Sequence, residues 1–228
     1  MASHPLDRPV WSALTSRQAA LAQGDARALR FDPDYGPFAA AADASPESLD
    51  ALAALEFGDT GLYLVEPQGE EWPFPPGTVA LSQAACVQMA AEAITPGEAV
   101  FPVVPLTEED APEMLALARL TRPGPFSTRT HRLGEFIGVK QEGRLVAMAG
   151  ERMKPDGFTE VSGVCTHPDH RGRGYAGGLM RIVARRILER GETPFLHAYE
   201  ANTGAIALYE ALGFRLRRIV TLTILKRA

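Results

Sequence analysis

The residues with the clearest chemical potential form one segment, Val164-Cys-Thr-His-Pro-Asp-His-Arg-Gly-Arg-Gly-Tyr-Ala-Gly-Gly-Leu179. A stretch of strand character precedes it and a helical pattern follows it, so its glycine-rich part is a loop between a strand and a helix. Glycines let a backbone approach a ligand closely, and the first amides of a helix attract anions. Arg171 and Arg173 add positive charge at the same place. The segment therefore predicts a site for phosphate or pyrophosphate.

Two other phosphate-binding patterns fit this segment poorly. Gly172, Gly174 and Gly177 have the spacing of a dinucleotide-binding loop, but His-Pro-Asp-His-Arg separates them from the strand. The acidic residue expected about 20 residues further on is missing, and His197 lies near that position. A P-loop is excluded because the chain contains no Gly-Lys pair. A plain glycine-rich turn without a ligand is the alternative.

A second pattern lies downstream, in a segment of helical character: Asn202-x-x-Ala205-x-x-x-Tyr209-x-x-x-Gly213-Phe214. Together with Arg171-x-x-Gly174-x-Ala176, it resembles the paired signature of the GCN5-related N-acetyltransferase (GNAT) superfamily. Every signature position matches at the usual spacing, and the resemblance covers about residues 99–228. Val164-Cys-Thr-His-Pro168 and Pro194-Phe-Leu-His197 resemble the FR47-like branch of that superfamily.

The resemblance implies an α/β protein of the α+β type with the GNAT fold. In that fold a mixed, mostly antiparallel sheet has a splayed central strand pair and flanking helices. It also implies direct transfer of an acyl group from acetyl-CoA, as co-substrate, to an amine in a ternary complex without a metal. A bulge near Gly163 would splay the strands and open the cleft. The alternative is a non-catalytic acyl-CoA-binding regulatory module, since a fold does not by itself confer activity.

The resemblance also implies a role for each matching residue. The end of the central strand would bind the pantetheine arm and polarise the acyl carbonyl, through Val164, Cys165 and Thr166. The loop would hold the pyrophosphate with Arg171, Gly172, Arg173, Gly174, Tyr175 and Ala176. Asn202 would contact the pantetheine or a nearby water. Tyr209 would donate a proton to the sulfur; a core aromatic residue on an amphipathic helix is the alternative. These last two residues are two helical turns apart on one face, so both can reach the same cleft.

The residue that deprotonates the amine is less evident from residue types. At a pKa of about 10.4, roughly one amine in 10³ is neutral at pH 7, so proton removal contributes to the rate. Glu160 lies on the central strand, where the period of two places it on one face with Ser162 and Val164. We expect Glu160 to act as a base, directly or through water; a solvated strand residue is the alternative.

Other side chains are candidates for the acceptor side. His197, on the next strand, is either an acceptor contact and second candidate base or a packed core residue, and Glu135 is a weaker candidate base. Arg129 lies in a loop that lines the acceptor side in the family, so it is expected to hold an acceptor carboxylate unless it is only a solvated basic residue. Cys165, His167 and His170 lack a standard zinc spacing and a fourth ligand, so no metal is expected.

Patterning along the chain predicts the elements that position these residues. Helices are expected over Glu108–Leu120, around Leu179–Ile187 and over Thr203–Leu212, and an antiparallel meander over Phe136–Cys165. The first part is less regular, with helical patterns over Trp11–Gln23 and Ser82–Ala93. A strand-helix-strand unit beside a meander gives a mixed α/β sheet.

The net charge of −5 hides an asymmetry between the two halves of the chain. Residues 1–125 contain 6 Lys and Arg and 18 Asp and Glu, a net charge of −12, whereas residues 126–228 contain 17 and 10, a net charge of +7. We expect two regions. Residues 1–98 form a degenerate GNAT-like half, an unrelated cap or a dimerisation surface, and residues 99–228 form the acetyltransferase domain. An acidic face near the cleft would favour a cationic acceptor amine.

Composition excludes several other classes. Two cysteines cannot form a disulfide framework, no apolar run approaches the roughly 18 residues of a membrane helix, and residues 1–5 lack the features of a signal peptide. The basic half lacks the interleaved aromatic residues of a nucleic-acid binder. We therefore expect a cytoplasmic protein whose partner is a small-molecule or peptide amine, with no nucleic acid and no membrane; a homodimer is compatible with the sequence.

Overall fold

The computed structural model describes residues 4–69 and 72–228 of the chain. Its helices are α1 Pro9–Leu14, α2 Pro46–Ala54, α3 Ala111–Thr121, α4 Tyr175–Glu189 and α5 Thr203–Leu212. Its strands are β1 Ala22–Gly24, β2 Ala28–Phe31, β3 Ala39–Ala41, β4 Leu62–Pro67, β5 Thr78–Ala90, β6 Val104–Leu106, β7 Phe136–Gln141, β8 Arg144–Glu151, β9 Phe158–Thr166, β10 Thr193–Tyr199 and β11 Arg215–Arg227. No helix in these ranges has both the length and the apolar character needed to cross a membrane. Residues 1–3, part of the segment behind the signal-peptide expectation, lie outside the described ranges.

An eight-stranded sheet forms the centre of the molecule, in the order β4-β11-β5-β10-β9-β8-β7-β6. Strands β9 and β10 run parallel, and the other neighbouring pairs run antiparallel. Strand β8 contributes to two apolar clusters, one built on α3 through Met114 and Leu117 and one built on α4 through Leu179, Val183 and Ile187. Helices therefore cover both faces, and the predicted mixed α/β sheet with flanking helices is confirmed.

Strand β5 belongs to the first half of the chain but lies between β10 and β11 of the second half. It pairs with β11 along its length, and Cys86–Ala90 also pair with β10. Strand β4 adds to the same edge by pairing with β11. The main sheet therefore contains strands from both sides of residue 98.

The predicted helix over Ser82–Ala93 is wrong, because β5 occupies Thr78–Ala90. An alanine-rich segment has a high intrinsic helix preference. Pairing on both sides and burial of Cys86, Val87, Gln88 and Met89 in succession override that preference. A strand covered on both faces shows no alternation of apolar and polar residues, so its period cannot identify it.

The predicted helix over Trp11–Gln23 is too long, since α1 ends at Leu14 and a 3₁₀ turn follows at Ala19–Leu21. Gln18, between them, is buried: its Nε2 donates to the Arg152 carbonyl at 2.8 Å, and its Oε1 accepts from the Lys154 amide at 2.9 Å. These contacts tie the first half to the connection between β8 and β9. Such tertiary contacts cannot be predicted from the local spacing of apolar and polar residues.

The remaining N-terminal elements form a small layer against the main sheet. Strands β1, β2 and β3 make a three-stranded antiparallel sheet in that order. Apolar residues of α1, including Val10 and Leu14, share one cluster with Phe31, Met153 and Phe195. This layer therefore shares its core with β10 and with the connection that precedes β9.

Strand β9 carries one extra residue opposite β8, between Ser162, which pairs with Gly150, and Cys165, which pairs with Met148. Gly163 lies in this bulge with a φ of +63°, and a Cβ there would lie 2.8 Å from the ring of Phe136. The left-handed backbone and the close ring both require glycine. The bulge predicted near Gly163 is confirmed.

The bulge changes the alternation of side chains along β9. Val161 and Val164 both pack toward α4, whereas Cys165 packs with α3. The prediction that Val164 shares a face with Glu160 is therefore wrong, because the extra residue reverses the alternation after Ser162.

Candidate functional site

A cavity of about 730 Å³ opens where β9 and β10 separate. The two strands pair over Phe158–Glu160 and Thr193–Phe195 and then diverge toward α4. We call the point of separation, at Glu160 and Phe195, the fork. Beyond the fork, the β10-facing edge of β9 has no strand partner in the described part of the chain, so its backbone groups are available to a ligand.

The start of α4 forms one end of the cavity. Gly174 caps the helix with a φ of +76°, and no side chain accepts from the first amides. At Gly172 and Gly174 an added Cβ would meet nothing within 4 Å, so both glycines serve the left-handed backbone and leave space in front of it. The uncapped N-terminus of a helix this long is a ready binding site for an anion.

Arg171 and Arg173 flank this helix start on the surface. Both line the cavity, and within the described ranges neither has an acidic partner. The side chain of Tyr175, by contrast, is buried, with its ring 4.8 Å from that of Phe101. Of the predicted loop residues, Tyr175 therefore offers its backbone to a ligand, while the two arginines offer charge.

Gly178 has a role that differs from the sequence interpretation. A Cβ there would lie 2.5 Å from the ring of Phe101, which packs on this side of α4. The glycine therefore makes room for a core aromatic residue rather than for a ligand.

The end of β9 carries the three residues predicted to bind the pantetheine arm. Val164 packs toward α4 and Cys165 points into the opposite apolar cluster, so their backbones, not their side chains, face the strand edge. Burial raises the pKa of the Cys165 thiol to about 11, which argues against a nucleophilic role. The Thr166 Oγ1 is buried and has no hydrogen-bond partner among the described residues, as expected of a group that awaits a ligand.

Helix α5 presents the second motif to the cavity. The Asn202 Oδ1 accepts from the Ala205 amide at 3.3 Å and so begins the helix, while the residue also lines the cavity. Tyr209 lines the cavity two turns later, and its hydroxyl has no hydrogen-bond partner among the described residues. Burial raises the pKa of the Tyr209 hydroxyl, so the group keeps its proton at neutral pH.

Glu160 lies at the fork and is 1% exposed. Its Oε2 accepts from the Arg152 Nε and its Oε1 from the Arg152 Nη2, both at 2.8 Å. The Oε1 also accepts from the His197 Nδ1 at 2.8 Å, and the Oε2 from the Met153 amide at 3.4 Å. These contacts use the roughly four acceptor positions of a carboxylate.

The electrostatics of Glu160 do not support its predicted role as base. Burial alone would raise its pKa, but the charge and hydrogen bonds of Arg152, with a smaller contribution from His197, outweigh burial and lower it to about 2. A carboxylate with this pKa is a weak proton acceptor near neutral pH. The geometry instead makes Glu160 a positioning residue for His197.

His197 connects the fork to the first half of the chain through Gln88 of β5. The Gln88 Nε2 donates to the Leu6 carbonyl at 2.8 Å, and its Oε1 accepts from the Arg217 Nη1 at 2.9 Å. With this amide orientation, the Nε2 of Gln88 faces the His197 Nε2 at 3.1 Å as a donor. His197 therefore carries its proton on Nδ1, toward Glu160, and accepts on Nε2.

Sequence reasoning missed Gln88, because it lies in a segment that resembled a helix. It also missed the apolar wall, by which we mean Phe38, Val65, Cys86, Val220 and Leu222 of the cavity. The wall is adjacent to the fork, since Arg152 stacks on the Phe38 ring at 4.6 Å. Three of its members belong to the first half of the chain and carry no motif.

Two other predicted side chains lie away from the cavity lining. Arg129 is half-exposed, with its Nε 3.5 Å from the Asp34 carboxylate, and its amide donates to the Asp34 carbonyl at 2.7 Å. Glu135 is exposed beside Arg186 at 3.4 Å. These positions support neither a carboxylate contact by Arg129 nor a role as base for Glu135. In the described part of the chain, no group of three or more His, Cys, Asp or Glu side chains could hold a metal ion.

Comparisons with known proteins agree with this geometry. The family model described as FR47-like protein matches residues 136–222. A GNAT-family acetyltransferase from Novosphingobium aromaticivorans is 48% identical with a TM-score of 0.91, over 99% of this chain and 100% of that one. A GCN5-related N-acetyltransferase from Kribbella flavida shares the fold at 19% identity and a TM-score of 0.66, over 93% of each chain.

A GCN5-related N-acetyltransferase-like protein from Streptococcus suis also shares the fold. It is 16% identical with a TM-score of 0.62, over 96% of this chain and 92% of that one. No curated protein matches the chain.

Proposed function

Because the chain belongs to the GCN5-related N-acetyltransferase (GNAT) family of acetyltransferases, we propose that it transfers an acyl group from acetyl-CoA to an amine by direct attack in a ternary complex. The observation that carries this proposal is the joint presence of two features in one cavity. A helix start without a side-chain cap lies at one end, with two arginines that have no acidic partner among the described residues, and Tyr209 lies within.

The cavity fits the chemistry of acetyl-CoA. The free amides at the start of α4, with Arg171 and Arg173, would hold the pyrophosphate. The unpaired edge of β9 beyond the fork would bind the amide groups of the pantetheine arm, with the orphan Thr166 Oγ1 as a further partner.

The residues of the chain would then serve the transfer in three ways. Backbone amides of β9 at the bulge would donate to the carbonyl oxygen, where negative charge develops. Tyr209 would donate its proton to the departing sulfur. The fork would hold the acceptor amine, with the Glu160–Arg152 pair and His197 as a fixed polar floor.

The test is binding and turnover with acetyl-CoA. We expect saturable binding by calorimetry and release of the free thiol with a suitable amine. Replacing Arg171 and Arg173 together by Ala should weaken acetyl-CoA binding by about tenfold or more, since two charge-assisted contacts are lost. The matched control is Arg185→Ala, on the same helix but outside the cavity lining.

Two outcomes would contradict the proposal. Equal acetyl-CoA affinity in the double variant and in the control would show that Arg171 and Arg173 do not bind the pyrophosphate. Tight acetyl-CoA binding without thiol release across an amine panel would favour the regulatory module instead.

A further inference from the structure

The charges at the fork restrict which amine can bind there. Glu160 is the acidic side chain that lines the cavity in the described part of the chain, and Arg152 neutralises it through two hydrogen bonds. Among the described residues of the first half, no acidic side chain contributes to the lining. These residues therefore do not provide the expected acidic face beside the cleft.

The apolar wall gives the fork a surface for an uncharged, carbon-rich group. Phe38 is 4% exposed, and Val65 and Cys86 are similarly buried, so the wall is preformed. Register places Cys86 opposite Val220 and Leu222 opposite Val65, so four members form one continuous patch on the sheet. Such a patch binds an aliphatic or aromatic side chain by removing it from water.

Arg122 supplies a positive charge to the same cavity. It caps the C-terminus of α3 with a φ of 51°. This is a left-handed backbone conformation in which glycine is the residue usually found. It lines the cavity, and within residues 4–69 and 72–228 no acidic side chain pairs with it. The loop that follows reaches the fork, because a Cβ on Gly124 would lie 4.0 Å from the Arg152 Nη1.

We propose that the acceptor is a free α-amino acid with a large apolar side chain. Arg122 would bind its carboxylate, the apolar wall its side chain, and the amine would face the bulge of β9. This inference rests on the proposed acyl transfer and adds the acceptor class to it. An arginine that has no acidic partner among the described residues, in the same cavity as an apolar wall, matches an anion attached to an apolar body.

The step balances without a further reactant. The neutral amine attacks the thioester carbonyl carbon, the C–N bond forms and the C–S bond breaks. The nitrogen releases its excess proton to solvent, and the sulfur takes the proton of Tyr209, which is then restored from solvent. The products are an N-acyl amino acid and the free thiol of coenzyme A.

The test is thiol release from acetyl-CoA by the full-length protein with a panel of acceptors. The panel contains leucine, methionine and phenylalanine, their carboxamides, lysine, spermidine and a short peptide. We expect kcat/KM for the apolar amino acids to exceed that for their carboxamides by about tenfold or more, because the carboxamides lose the ion pair with Arg122.

Variants assign the preference to Arg122. Arg122→Gln should lower kcat/KM for the apolar amino acids to about that of their carboxamides, and Arg122→Lys should restore part of the difference. The control, Arg119→Gln, removes an arginine of the same helix that does not line the cavity. An unchanged ratio between acid and carboxamide in Arg122→Gln would overturn the assignment.

The outcomes separate this inference from the proposed function. Thiol release with spermidine, lysine or the peptide but not with apolar amino acids would reject the acceptor class and leave the transferase intact. Absence of acetyl-CoA binding in calorimetry would reject both.

Discussion

Glu160 and Tyr209 line the same cavity but are in opposite protonation states. Ion pairing with Arg152 keeps Glu160 ionised, and burial keeps Tyr209 protonated. Sequence spacing predicted that both residues belong to the cleft, because strand and helix periods are local properties. It could not predict the partner of Glu160, since Arg152 lies on the connection after β8 and meets it through tertiary packing.

Tyr209→Phe tests the proton donor. The hydroxyl is lost while the ring that packs near Phe214 stays, so kcat should fall by about 10²-fold. Acetyl-CoA affinity, measured by calorimetry, should change by less than about twofold. Tyr35→Phe is the control, because Tyr35 does not line the cavity. Equal turnover in both variants would show that another group protonates the sulfur.

Glu160→Gln tests the buried ion pair. The folded-state pKa of about 2 lies below the ordinary value of 4.5, so the stabilising contribution is complete above about pH 4.5 and is lost as pH falls toward 2. That contribution corresponds to about 3 kcal/mol. The variant, which leaves Arg152 buried without its partner, should lose about 3–5 kcal/mol at pH 7.

Urea unfolding at pH 7, 4 and 3 measures this effect. The acid-dependent loss should be smaller in Glu160→Gln than in the parent protein. Glu135→Gln, which removes an exposed carboxylate, should retain the parent's pH dependence. If Glu160→Gln keeps the full pH dependence as well, the pair is not the source of the acid sensitivity.

Some of the elements around the site can be predicted from local sequence pattern alone, and others cannot. Helices α4 and α5 follow from apolar stripes that end at glycine, and the bulge in β9 follows from a glycine near the end of a strand. Strand β5 was mistaken for a helix because its identity depends on two neighbours far along the chain. Residues on such an element, Gln88 and Cys86 among them, cannot be assigned to the site from local pattern.

Gly163→Ala tests the bulge as an element. The substitution combines an unfavourable backbone with a Cβ 2.8 Å from the Phe136 ring. Gly157→Ala is matched, since Gly157 has a φ of +75° but no atom within 4 Å of an added Cβ. We expect Gly163→Ala to lose about 1–3 kcal/mol more than the control in urea unfolding, and to lower turnover. Equal losses of unfolding free energy in the two variants would mean that the Phe136 ring moves away from the new Cβ without an energetic penalty.

The main sheet and the cavity both depend on the first half of the chain, although that half contains no motif from which this could be predicted. That half supplies β5 to the centre of the sheet, Gln88 to the fork and three members of the apolar wall. The charge asymmetry is a property of the sequence, but the described acidic residues of the first half lie outside the cavity lining.

A fragment of residues 99–228 tests this dependence. Without β5, strands β10 and β11 lose the neighbour that joins them, and their apolar residues meet water. We expect the fragment to lack cooperative thermal unfolding and to elute as aggregate in size-exclusion chromatography. Joint expression with residues 1–98 is the control and should restore a soluble complex. A monomeric, cooperatively unfolding fragment would contradict the shared sheet.

The position of β5 also sets the order of events during synthesis. Cys86 leaves the ribosome before its partner Val220 by more than half the chain. At about 5–20 residues per second, the strand waits roughly 10 s for β11. Until β10 and β11 have been synthesised, it presents unpaired edges in an apolar segment, which is the kind of surface that chaperones cover. The fork, which β5 contacts through Gln88, therefore forms only after most of the chain has been synthesised.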